Sequence, residues 1–173
     1  MLNLSWKRAA MISLPTLLVL IAAKEHTKAP QPPKANIAAA DPIQAGKYLV
    51  MIAGCNDCHT PGYDQSHGKI PESDWLTGES LGFKGPWGTS YPSNLRLTVT
   101  LINEDGWVQM LRTRNARPPM PWLAVNSMSD PDLRALYQYI KSLGPKGEKS
   151  PDYLPPGADP KTPVVTFPTP PEE

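Results

Sequence analysis

Apolar positions recur with the period of an α-helix at two places in the chain, and more weakly at a third. Gly46, Leu49, Val50 and Ala53 follow Asp41-Pro42 at i, i+3, i+4 and i+7. This predicts a helix from about residue 42, with Asp41 as its cap and Pro42 at its first position. A glycine in mid-helix costs about 1 kcal/mol relative to alanine, so Gly46 implies that another backbone passes close by. The second strong pattern is Leu133, Leu136, Tyr137, Ile140 and Leu143 on one face, opened by Ser129 with Asp132 three residues on and closed by Gly144-Pro145. A weaker third helix should run from Glu104 to about Arg114, capped by Asn103, with Trp107, Met110 and Leu111 on one side. Strand signals are weak throughout. Residues 60–97 are rich in Gly, Pro, Ser and Asp, and an unsupported loop of that length is uncommon in a compact domain. A ligand wrapped by the loop would supply the support.

Composition divides the 173 residues around this helical middle. Lys7 and Arg8 precede an uncharged, mostly apolar stretch, Ala9 to Ala23, broken by Pro15. It is shorter than the ~20 residues of a membrane span, so residues 1–23 are expected to be a cleaved signal peptide, with an uncleaved anchor as the alternative. Residues 24–40, with Pro30, Pro32, Pro33 and then alanines, read as a linker. Residues 41–144 form the domain, and residues 145–173, with nine prolines, an extended tail. The 22 prolines and only two phenylalanines suggest a small core filled in part by something other than side chains. A net charge of +1 with no basic run excludes a nucleic-acid footprint.

Cys55-Asn56-Asp57-Cys58-His59 carries the chemistry. Thiols at i and i+3 can form thioethers to both vinyl groups of a haem, and the adjacent imidazole can ligate its iron. A dithiol redox pair would belong at a strand-to-helix junction, and a zinc site would need four ligands; the surrounding sequence offers neither. Of the candidates for a second axial ligand, Met110 belongs to a core-facing helix side, Met128 suits a hydrophobic staple on Leu133, and His67 reads as a surface residue. Met120 stands apart in Arg117-Pro118-Pro119-Met120-Pro121-Trp122, where prolines impose an extended, stiff backbone suited to holding a sulfur on iron. Arg96, Arg112, Arg114 and Arg117 flank that loop and could pair with haem propionates or an acidic partner, although surface solvation is the simpler reading. Trp87, Tyr91 and Trp122 are the aromatic candidates for packing on the haem and reaching its propionates.

The succession Gly54-Cys55-Asn56-Asp57-Cys58-His59-Thr60, a long Gly/Pro loop, Met120-Pro121-Trp122 and Ser129-Asp130-Pro131-Asp132-Leu133 resembles a class I cytochrome c domain over residues 41–144. Trp87-Gly88 through Tyr91-Pro92-Ser93-Asn94-Leu95 is similar to the cytochrome c subunits of bacterial membrane-associated dehydrogenases. Arg96-Leu97-Thr98 follows where those relatives commonly carry Thr-Pro-Asp. The resemblance implies an all-α fold of about three main helices around one covalent haem c, with the first and last helices crossing near Gly46 and Met120 as distal ligand. It implies a periplasmic carrier of single electrons, serving a redox partner such as a dehydrogenase or oxidase, with no substrate chemistry of its own. The alternative is a haem enzyme such as a peroxidase, which would need an open iron position and an acid/base group beside it, or a haem-based redox or gas sensor, in which ligand exchange at iron drives a partner.

Overall fold

The computed structural model describes residues 37, 41–115 and 117–168. The expected signal peptide or anchor, the linker apart from residue 37, and the last five residues of the tail lie outside the described residues. Among the described residues no helix is long and apolar enough to cross a membrane.

All three expected helices form where their caps predict. Helix α1 (Pro42–Ile52) starts on Asp41, whose Oδ1 accepts the Ile43 N–H at 2.9 Å. Two short helices follow, α2 (Cys55–His59) and α3 (Leu95–Leu101), and then the longer α4 (Glu104–Thr113), capped by Asn103. After α4 come α5 (Trp122–Asn126) and α6 (Asp130–Ser142). The Ser129 hydroxyl accepts from the Asp132 N–H at 3.3 Å and donates to its carboxylate at 2.6 Å, a reciprocal cap. Helices α1 and α6 cross where the sequence implied. A Cβ at Gly46 would lie 2.1 Å from the Ala135 carbonyl oxygen, so only glycine lets the backbones approach this closely. Leu49, Val50, Leu133, Leu136, Tyr137, Tyr139 and Ile140 are buried around this crossing, with Trp107, Val108 and Leu111 of α4 packed beside them.

The all-α expectation needs correction, because the chain also builds a small sheet. Strands β1 (Gly82–Gly85) and β2 (Gly88–Ser90) form an antiparallel hairpin, and β3 (Val164–Thr166) joins β1 in parallel. The described part of the tail therefore returns across the domain and pairs with it. Leu154 exchanges backbone hydrogen bonds with Thr89 at 2.8 and 3.0 Å, and Phe167 packs on Trp87 with ring centroids 5.4 Å apart. Strands of three or four residues, two of them opening on Gly, carry no readable alternation, and the pairing of β1 with β3 spans about eighty residues. Part of the support for the 60–97 loop thus comes from the protein's own tail.

Candidate functional site

The site begins where α1 ends. Gly54 takes φ +64, a left-handed conformation that turns the chain out of α1 and into α2. Helix α2 then holds the thiols of Cys55 and Cys58 at i and i+3 on one face, and both are free. Burial, aided by the Asp57 carboxylate, pushes the Cys55 thiol up to about 12 and raises that of Cys58 as well. The sulfurs therefore stay protonated at neutral pH. A dithiol redox pair needs the opposite shift.

His59 is buried, at 6% exposure, and its Nδ1 lies 2.7 Å from the Ser93 carbonyl oxygen. A carbonyl can only accept, so Nδ1 carries the hydrogen and Nε2 keeps its lone pair. Burial lowers the imidazole's affinity for a second proton more than the Ser93 carbonyl restores it, which keeps the ring neutral. The segment around Ser93 is anchored in turn. Asn94 caps α3 through the Leu97 N–H at 3.0 Å, and its amide donates to the carbonyls of Lys146 and Glu148 in the tail.

Met120 lies on the exposed loop between α4 and α5 and packs, partly buried, against the same hydrophobic core as Cys55. Met110 and Met128 also pack on that core, from α4 and from the residue before the Ser129 cap, while His67 is exposed in a turn. Among the three aromatic candidates, Trp87 Nε1 donates to the Phe83 carbonyl and the Tyr91 hydroxyl pairs with Thr162. Trp122 Nε1 is buried with no hydrogen-bond partner among the described residues. An indole N–H left so costs about 1–3 kcal/mol unless an acceptor from outside the chain meets it. Free thiols on one helical face, a neutral imidazole with an available nitrogen and this orphaned donor together fit a haem.

Two of the arginines have other work. Arg96 is buried beneath the end of α6, donating to the carbonyls of Ser73 (2.8 Å), Gly144 (2.5 Å) and Leu143. It is neither a propionate partner nor a solvated surface charge, because two carbonyls at the end of α6 and that of Ser73 have claimed its guanidinium. Arg112 is committed to Asp130 at 2.7 Å and to the Asn126 carbonyl. Arg114 and Arg117 remain exposed.

A family model for cytochrome c matches residues 43–144, which span this site from α1 to the end of α6. The chain belongs to the cytochrome c family. Its membership implies a covalently bound haem c, and Cys55, Cys58 and His59 fit the family's attachment motif. The fructose dehydrogenase cytochrome subunit of Gluconobacter japonicus is 27% identical over 135 residues, 72% of this chain and 26% of the relative. The chain thus spans about a quarter of that relative's length. No solved structure matches it. The family and this distant relative point to electron transfer in place of catalysis. Sequence reasoning did not find the Ser93 carbonyl, since no side-chain pattern marks which backbone oxygen meets a histidine.

Proposed function

We propose that this cytochrome c transfers single electrons in the periplasm, with haem c held through Cys55 and Cys58 and ligated by His59 and Met120. The observation that carries the reading is the Ser93 carbonyl on His59 Nδ1, which leaves Nε2 of a neutral, buried ring as the ligating atom. Bound haem supplies an iron that cycles between ferrous and ferric states. The protein's residues do the rest. Cys55 and Cys58 would fix the group to α2, burial keeps water from His59, and the unpaired Trp122 Nε1 would be the donor offered to a propionate. A thioether sulfur from Met120 would fill the second axial position and raise the potential, leaving no open site for substrate. The partner is a dehydrogenase or oxidase, consistent with the relative's role as a dehydrogenase cytochrome subunit.

The test uses holoprotein matured in an exporting host. Pigment should remain with the polypeptide through acidified acetone extraction. The ferric protein should show the weak absorption of sulfur on iron at the far-red edge, and Met120→Ala should abolish that band and admit imidazole. A band that survives in Met120→Ala would move the ligand to Met110 or Met128, and vigorous peroxide turnover by the wild type would favour a haem enzyme.

A further inference from the structure

Residues 145–168 follow the stretch that matches the cytochrome c family model, yet they touch both sides of the site. On the His59 side, the carbonyls of Lys146 and Glu148 hold the Asn94 amide at 2.8 and 3.1 Å, next to the Ser93 carbonyl that orients the imidazole. Lys146 also pairs with Asp74. Farther along, Leu154 clamps Thr89 of β2, and the Tyr153 hydroxyl donates to the Trp87 carbonyl at 2.8 Å. On the Met120 side, the Arg117 guanidinium lies over the Tyr153 ring, 3.5 Å from its centroid.

We propose that residues 145–168 are a strap that positions the Met120 loop, with Tyr153 stacked on Arg117 as its latch. This rests on Met120 being an axial ligand. Two routes connect strap and loop. The direct one is the cation–π stack, three residues from Met120. The indirect one runs through β2, where the Ser90 hydroxyl donates to the Pro118 carbonyl at 2.6 Å. That hairpin has only four and three residues in its strands, and a two-stranded hairpin alone is marginal in water. Leu154 on one side and β3 on the other make it a fixed support. The loop itself is otherwise exposed: Arg117, Pro118, Pro119 and Pro121 all face solvent. Tyr153 is thus a positioning residue, acting on Met120 through Arg117 and the hairpin.

The test is imidazole binding to the ferric holoprotein, followed by absorption, because an external base competes with a loosely held methionine. Tyr153→Leu removes the ring from Arg117 and should tighten imidazole binding about five-fold, while the resting sulfur-on-iron band persists. Arg117→Gln should act in the same direction. Tyr153→Phe keeps the ring on Arg117 and loses only the bond to the Trp87 carbonyl, so its affinity should lie between those of the wild type and Tyr153→Leu. Val108→Ala, a buried change in α4 away from the strap, should lower Tm and leave imidazole affinity alone. Unchanged affinity in Tyr153→Leu overturns the proposal, as does an equal effect from Val108→Ala, which would make the change a general loosening. If Met120→Ala keeps the sulfur band, the ligand assignment has failed and the strap with it. If that band is lost and Tyr153→Leu still does nothing, the strap alone has failed.

Discussion

The walls that carry His59 and Met120 are made in different ways. On the His59 side the hydrogen bonds are buried and linked. The Thr60 hydroxyl donates to Asn56 at 2.7 Å and accepts the Leu76 N–H at 2.8 Å, and the Gly78 N–H reaches the His59 carbonyl at 2.8 Å. The Leu95 N–H returns to the Leu76 carbonyl, and Arg96 of the same helix is sewn to the end of α6. Away from water each such bond is stronger, and losing one partner strands the other. The Met120 side is a surface loop held by a few long-range tethers, and Leu123 just beyond it is 87% exposed. Segments with few buried contacts open first. A fault in the His59 wall should therefore unfold the domain, whereas a fault in the Met120 wall should change what the iron can bind while the fold stands.

The hardest blow to the first wall is Gly46→Val. It places side-chain carbon 2.1 Å from the Ala135 carbonyl oxygen and 2.5 Å from Tyr139 Cβ, so α1 must leave α6 and carry α2 with it. A loss of more than about 4 kcal/mol is expected, enough to prevent recovery of haem-loaded protein. A variant that matures normally and melts near the wild type would mean that the crossing does not hold the site. Next comes Arg96→Ala, which leaves three carbonyls without their charged donor and should cost about 3 kcal/mol by denaturant unfolding, with the sulfur-on-iron band intact in the folded fraction.

What could be read beforehand follows the same division. The caps Asp41, Asn103 and Ser129, the periodic faces of α1, α4 and α6 and the Gly46 crossing are local patterns with a direct physical cause, and they appear in place. The thiols and imidazole were legible because one helical turn brings them together. Arg96 was misread because burial is a tertiary property: nothing in Asn94-Leu95-Arg96-Leu97 says that the end of α6 will close over it. The sheet was missed for a related reason, since its third strand, residues 164–166, reaches β1 from about eighty residues away in the chain. Trp122 stood among three equivalent aromatics until hydrogen bonding occupied Trp87 and Tyr91 and left one donor unmet.

The second wall is probed more gently by Ser90→Ala. Its hydroxyl spans from β2 to the Pro118 carbonyl at 2.6 Å, and the carbonyl is exposed enough to find water once the partner is gone. The cost to global unfolding should be about 1 kcal/mol or less. Hydrogen exchange should rise at Met120 and Trp122 more than at Leu76, Thr60 or Gly78. Equal rises on both sides would erase the distinction between the walls.

The smallest effect expected concerns acid. Glu72 bonds to Lys47 of α1 and accepts from the Tyr139 hydroxyl of α6 at 2.9 Å, bracing the crossing of α1 and α6. The Lys47 ammonium holds its carboxyl below the ordinary glutamate range, outweighing a desolvation that acts the other way. A carboxyl lowered by folding adds stability that is fully present above its unfolded pKa of about 4.5 and is lost as pH falls through the lower folded value. Glu72 and Lys47 are both more than a third exposed or close to it, so screening reduces the contribution to a few tenths of a kcal/mol. Glu72→Gln should therefore leave Tm at pH 7 only slightly lower and make the fall of Tm between about pH 5 and pH 3 shallower than in the wild type. The sulfur-on-iron band should keep its intensity over the same range, because the pair braces the wall that does not carry Met120. Loss of that band in step with Tm in the wild type, and its retention in Glu72→Gln, would instead tie the two walls to one electrostatic latch.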